Sequence, residues 1–473
     1  MRDASFKKIQ KKMKGKKKIT MSQKAEHYEE ALNHVNTYSK PSELRITDMR
    51  VATVGRWPLI KIYTNQGLVG YGEVRDGGSK TYALMLKSRI LGENPCNVDK
   101  IFRRIKQFGH HARQGGGVCA VEVALWDLAG KAYGVPVYQM LGGKFRDKIR
   151  IYCDTDVRGK PTGTAMGQAL KQRMEMGFTF LKMDVGIMLL RDQPGTLCAP
   201  LGFLEELYGA FRRPPDDLSP EERRALYHRW YDLNNIAHPF TGIHITEKGL
   251  DALEQYVADV RSVIGYEVPL ATDHFGHVGI EDCIKIAQRL DKYNLAWYED
   301  MVPWQYTEQY VRLAHSCKTP ICTGEDIYLK ENFGPLLESG GVSVIHPDLL
   351  TCGGILELKK IGDMAQDHSV AMAVHMAESP IACMACVHAC AATENFVVLE
   401  NHSVDHPWWN ELVTGLPNPI IQNGFIEVPD TPGLGIESLN DEVIKEHISP
   451  EDPGLWEPTD AWDHEFAHDR LWS

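Results

Sequence analysis

Asp273, Glu299, Glu325, Asp348 and His375 recur along the chain at gaps of 26, 26, 23 and 27 residues. Each closes a short apolar run: VPLATD, LAWYED, PICTGED, VSVIHPD and VAMAVH. A stretch with helical spacing follows each run. Repeated strand–helix units with a polar residue at the end of every strand are the pattern of a parallel β/α barrel, which carries its chemistry at that end.

The alternation extends in both directions. Strands are expected to end at Asp154 or Asp156, at Lys182–Asp184, at the five residues above and at Glu400. That makes eight strands, but after Glu400 the chain turns irregular (NHSVDHPWWNELV), so a modified (β/α)7β TIM-type barrel is expected. Ahead of it, LRITDMRVATVG, LIKIYTNQG and LVGYGEVRD alternate apolar and polar residues and read as a three-stranded antiparallel meander. Residues 79–140 then carry helical spacing. Strands followed by helices, before any alternation, predict a separate α+β capping domain. The expected division is a basic and polar tail over 1–43, with a loose helix over 22–43, a capping domain over 44–143, a barrel over 144–405 and a C-terminal return with tail over 406–473. Between Asp184 and Asp273 the unit is about three times too long. The insertion, 187–247, is expected as a lid or an oligomer contact.

Charge narrows the function. Lys and Arg number 52 against 63 Asp and Glu, a net charge of −11, which argues against nucleic acid and anionic membrane partners. The lysine-rich first 20 residues carry no apolar core of a secretory signal. Eleven scattered cysteines, an odd number with no paired framework, suit reduced thiols and a cytoplasmic location.

Three carboxylates at the ends of consecutive strands, Asp273, Glu299 and Glu325, would repel one another unless a cation neutralises them. An all-oxygen donor set suits Mg²⁺ better than Zn²⁺. On the next two strands Asp348 and His375 form a carboxylate-oriented general base. In FLKMDVG, Lys182 and Asp184 share one face of a strand and point into the mouth. Lys182 is expected there as a second base or as a fixed cation for a substrate carboxylate. Glu400, if protonated, would donate a hydrogen bond to a developing oxyanion.

These residues, with ALWDLAGKAYGVPVYQMLGG and VPDTPGLGIE, resemble the enolase superfamily, in particular its mandelate racemase subgroup, from about Leu44 to Asn440. The resemblance implies one Mg²⁺ per subunit on Asp273, Glu299 and Glu325, a His375–Asp348 base, Glu400 hydrogen-bonded to the substrate carboxylate, and a homo-oligomer. It favours dehydration of a small-molecule sugar acid, an aldonate such as galactonate or a related hexonate, in the manner of the galactonate dehydratases. Two departures stand out. Similar two-base enzymes carry Lys-x-Lys where this chain has Lys182-Met183-Asp184. Similar dehydratases place His or Asn two residues after the first metal ligand, where this chain has Phe275. His274 is expected to point away from the mouth by strand alternation, and His277 to reach the substrate as an acid. FGHHARQGGG (108–117) suggests a phosphate cradle by its glycines but lacks the P-loop context. As a capping loop it would bring His111 or Arg113 to the substrate, beside Asp184. The second capping loop, near Arg56 and Trp57, reads as short. CMACVHAC reads as small buried residues on a barrel helix rather than a zinc site. The rival readings are a racemase, epimerase or cycloisomerase using Lys182 as the opposite base, and a non-catalytic regulator on the same barrel.

Overall fold

A computed structural model of the chain describes residues 40–110, 112–198, 218–234, 243–276 and 278–466. The first element beyond a short 3-10 turn at Pro41–Glu43 is an antiparallel meander, β1 (Ile46–Val54), β2 (Trp57–Thr64) and β3 (Val69–Glu73). The loose helix expected over 22–43 falls almost wholly outside the described residues. Gly55, at φ +57°, makes the β1–β2 reversal possible in two residues and leaves Arg56 at its tip. The short loop expected there is therefore present.

One long helix, Gly115–Tyr133, lies across this sheet and is buried along nearly its whole length. That is why its sequence is apolar on every face. It packs close: a Cβ on Gly72 of β3 would sit 2.0 Å from the Ala120 carbonyl oxygen. Gly134, left-handed at φ +70°, ends the helix.

The barrel strands are β4 (Lys148–Cys153), β5 (Leu181–Asp184), β6 (Leu270–Asp273), β7 (Tyr298–Glu299), β8 (Ile321–Thr323), β9 (Val344–Ile345), β10 (Ala371–Val374) and β11 (Phe396–Asn401). They pair in parallel from β5 through β11, and β11 pairs with β4. The Asp184 amide donates to the Thr155 carbonyl at 3.1 Å, which draws the two ends of the sheet together. Helices separate consecutive strands, but β11 is followed only by a 3-10 turn, Trp409–Leu412, and short strands. The architecture is the (β/α)7β barrel with an α+β cap. Its strands end within about three residues of the expected positions.

The insertion opens as a 3-10 turn, Ile187–Leu189, and contains the helix Pro220–Asn234. Residues 199–217 and 235–242 lie outside the described residues. The C-terminal segment folds back onto the cap. The Thr53 amide donates to Asp452 Oδ2 at 2.6 Å, and Leu434 N to Asp127 Oδ1 of the long cap helix at 3.0 Å. It also does something not expected: β13 (Phe425–Glu427), following β12 (Val413–Thr414), adds antiparallel to β4 at the barrel edge. The CMACVHAC segment is buried throughout the helix Pro380–Ala391, and all eleven cysteines are free. No helix of the described residues is long and apolar enough to cross a membrane.

Candidate active site

Each of the eight strands, or the residue beside it, contributes one side chain to a plug inside the barrel: Tyr152, Phe180, Ala271, Trp297, Cys322, Val344, Ala373 and Val398. Successive side chains on a strand alternate faces, so the residue two further on points the same way. Two further on from the plug stand Asp154, Lys182, Asp273, Glu299, Gly324, His346, His375 and Glu400. A charged layer thus sits directly on an apolar one. The single gap is Gly324, where a Cβ would lie 3.1 Å from the His346 backbone. Glu325 enters from the next position instead.

Lys182 is the centre of this layer. Its ammonium, 1% exposed, lies 2.8 Å from Asp273 Oδ2, 3.0 Å from Glu299 Oε1 and 2.9 Å from Glu400 Oε1. Burial opposes its charge, but those three carboxylates hold its pKa well above that of a free lysine. Glu299 also meets His346 Nδ1 at 2.8 Å and accepts from Trp297 Nε1 at 2.8 Å. Burial would raise its pKa, yet His346 and Lys182 bring it down to about 2. Glu400 departs from expectation. It lies beside Lys182, His402 Nε2 (3.3 Å) and His346 Nε2 (3.5 Å). Burial raises its pKa, but Lys182 and His402 outweigh that and hold it well below the usual carboxylate range, which weighs against a protonated donor at this position.

His375 Nδ1 and Asp348 Oδ2 are 2.6 Å apart, which fixes Nδ1 as the protonated nitrogen and leaves Nε2 facing the mouth, 3.2 Å from Glu325 Oε2. Arg75, just past β3, reaches the dyad from the cap. Its guanidinium is buried, donates to the Glu325 carbonyl at 2.7 Å and stands 3.6 Å from Asp348 Oδ2. Burial pushes the Asp348 carboxyl up; Arg75 and His375 more than reverse that.

The predicted carboxylates come together in two steps. Asp273 and Glu299 converge on the Lys182 ammonium. Glu299 and Glu325, joined by Asp300, offer oxygens within 4.8 Å of one another. Asp300 was not anticipated, although the doublet Glu299-Asp300 was its signal. The donor set is all oxygen, which fits a hard divalent cation.

On the far side, Asp184, buried, and Asp154, partly buried, stand at the ends of β5 and β4, each with an Oδ1 lacking a hydrogen-bond partner. Burial and then Asp154 raise the Asp184 pKa to about 8. His274 does not point away. The strand ends at Asp273, His274 adopts φ +55°, and its ring lines the mouth 3.7 Å from Asp273 Oδ2. Phe275 takes the buried position instead.

A cavity of about 610 Å³ opens over these groups, lined on the cap side by Arg56, Arg75, Asp76 and Arg113 and at the insertion by Met188 and Arg191. Arg113, on the rim, donates from Nε to the Asp76 carbonyl at 2.8 Å. His111 and His277 lie outside the described residues. The three glycines of the 108–117 stretch serve packing. A Cβ on Gly116 would sit 2.6 Å from Arg75 N, and one on Gly117 2.2 Å from the Tyr82 carbonyl oxygen, so they admit close packing of the helix. Besides Asp300, Arg75, His346 and His402 were missed. His346 and His402 each stand two residues from a residue already singled out, Asp348 and Glu400, and that spacing was the available signal.

A family profile described as the enolase C-terminal domain-like family matches residues 165–442, and one for the mandelate racemase / muconate lactonizing enzyme N-terminal domain matches 29–142. The chain is 30% identical to a D-xylonate dehydratase of Haloferax volcanii, over 89% of this chain and 92% of that protein. It is 28% identical to a D-galactonate dehydratase of Ralstonia pickettii, over 89% and 97%. The crystal structure of a mandelate racemase/muconate lactonizing enzyme-like protein from Rubrobacter xylanophilus superposes with a TM-score of 0.71 at 27% identity, covering 87% of this chain and 99% of that one.

Proposed function

The chain belongs to the mandelate racemase / muconate lactonizing enzyme family of the enolase superfamily, and from that premise we propose that it is a Mg²⁺-dependent dehydratase of an aldonate. In this reading His375 Nε2 removes the proton α to the substrate carboxylate. The β-hydroxyl then leaves, and the enol becomes a 2-keto-3-deoxy acid. The observation that carries the reading is the asymmetry of the site. One His–Asp dyad is poised to take a proton, while the lysine opposite is locked among three carboxylates. An ammonium so held is a fixed cation, not a base. Asp184 stands where a two-base enzyme of this kind would carry its second lysine. Both features favour elimination over racemisation or epimerisation.

An α proton beside a carboxylate is far too weakly acidic for imidazole unless the enediolate charge is stabilised. Asp273, Glu299 and Glu325 would hold the Mg²⁺, which when bound supplies a Lewis acid for the substrate carboxylate. Lys182 adds a preorganised positive charge in a water-poor layer. Arg75 and Asp348 hold the His375 ring in one tautomer and orientation. The plug beneath keeps water from reaching the layer from below. Relatives named as D-xylonate and D-galactonate dehydratases support an aldonate as substrate.

The test is a library of acid sugars, beginning with D-galactonate and D-xylonate, incubated with the protein and Mg²⁺ and scored for 2-keto acid. Keto-acid formation that stops with a chelator and returns with Mg²⁺ is the expected result. Racemised or epimerised acid with no keto product would overturn it.

A further inference from the structure

The dehydratase reading leaves a proton unassigned. Hydroxide is a poor leaving group, so the departing β-oxygen needs an acid. Glu400, 2.9 Å from the Lys182 ammonium and held below the usual carboxylate range, is a poor source of it. His375 has just accepted a proton at Nε2 and would have to turn it round.

Two residues past Glu400, on the same face, stands His402. Its ring centroid is 5.3 Å from that of His375. Its side chain is about a quarter exposed (26%) and borders both the main cavity and two smaller ones of about 380 and 270 Å³. A carboxylate lies on each side. Nε2 is 3.3 Å from Glu400 Oε1, within hydrogen-bond reach, and Nδ1 is 3.8 Å from Asp154 Oδ2. The second gap is too long for a hydrogen bond. It leaves the Nδ1 donor unspent toward the cavity, facing the partly buried Asp154 carboxylate, whose buried Oδ1 has no partner. One hydroxyl oxygen placed between them would accept from Nδ1 and donate to Asp154. Burial works against a charged ring here, but Glu400 and Asp154 overcome it and raise His402 to about 9.

We propose, on the basis of the dehydratase reading, that His402 is the catalytic acid that protonates the leaving β-hydroxyl, with Asp154 orienting that hydroxyl. The C2 proton passes to His375 Nε2, and its bonding pair becomes the enediolate. That pair then forms the C2–C3 double bond as the C3–O bond breaks. The oxygen takes the Nδ1 proton of His402 and leaves as water. The enol returns a proton to C3 as its hydroxyl becomes the ketone. His375 ends protonated and His402 neutral, and exchange with solvent restores both. Because the two rings are neighbours, proton and hydroxyl leave from the same face.

The test compares D-galactonate or D-xylonate, whichever the wild type converts, with the same acid carrying fluorine in place of the C3 hydroxyl. Fluoride leaves without protonation. His402→Asn and His402→Gln should each lower water elimination about 10²–10⁴-fold. Both should keep fluoride elimination within a few-fold of wild type, and in D₂O both should still exchange the C2 proton of unconverted substrate. Equal losses on the two substrates would make His402 a structural residue and overturn the proposal, as would no loss on either. A wild type that forms keto acid from no aldonate overturns the dehydratase reading instead.

Discussion

Two layers of the same barrel, one step of the pleat apart, have opposite characters. The lower one, from Tyr152 to Val398, is an apolar and aromatic plug in which Phe180 lies against Trp297 with ring centroids 4.9 Å apart. The upper one, from Asp154 to Glu400, is almost wholly ionisable and equally deep, with Lys182, Glu299, His346 and Glu400 each at or below 1% exposure. Buried charge is costly unless paired. Here every buried carboxylate of the ring has a cationic neighbour in the layer or above it. Stability and chemistry are thus kept in separate layers: the plug excludes water, and the dry platform it makes strengthens each electrostatic contact above it.

The largest expected effect breaks the upper layer alone. His375→Asn should lower keto-acid formation about 10²–10⁴-fold and abolish C2 exchange in D₂O, with an unchanged urea midpoint. Phe180→Ala should do the reverse. Removing a ring from the plug costs about 3–5 kcal/mol of stability, read as a lower denaturation midpoint, while kcat/KM per folded molecule stays within a few-fold. Arg75→Met should fall between the two classes. It strips a cation from Asp348, Glu325 and Glu378 at once, so about 3–5 kcal/mol of stability and a large part of kcat should go together.

A fourth, smaller effect sharpens the contrast from outside both layers. His388 is fully buried on the helix Pro380–Ala391, where burial lowers its pKa to about 4, and Nδ1 accepts from the Tyr138 amide at 3.3 Å. The unfolded chain titrates this group near 6.5. Between those values the unfolded state binds the proton and the folded state does not. Stability is therefore complete above about pH 6.5 and is lost as pH falls toward 4, by about 3 kcal/mol. Thermal melts across that range should show the loss, and His388→Gln should flatten it. A wild-type profile that is level from pH 7 to 4 would count against this assignment.

Much of the upper layer is legible in the sequence because a barrel strand advertises its end. Apolar run, polar terminus and helix repeat at a fixed interval, and Asp273, Glu299, His375 and Glu400 follow from that rhythm. What is not legible depends on contacts between distant segments or on local breaks in the rhythm. His402 gains its meaning from Asp154, on the opposite end of the barrel sequence. Arg75 comes from the cap. His274 was misassigned because alternation stops at Asp273 and the next residue is left-handed. Whether Glu400 carries a proton is not legible either, because the sequence cannot reveal that the Lys182 ammonium lies 2.9 Å from it. The three glycines at 115–117 looked like a ligand loop and are packing surfaces, a distinction that only the neighbouring Arg75 and Tyr82 backbones decide.

The central claim is that this charged layer contains one base, working from one face. Proton NMR of the wild-type reaction on D-galactonate or D-xylonate in D₂O with Mg²⁺ tests it most directly. The expected result is loss of the C2 proton together with appearance of a 2-keto-3-deoxy acid carrying deuterium at C3, and no epimer of the starting acid. Accumulation of C2-deuterated epimer without keto acid would mean that a second base acts opposite His375, and would contradict it.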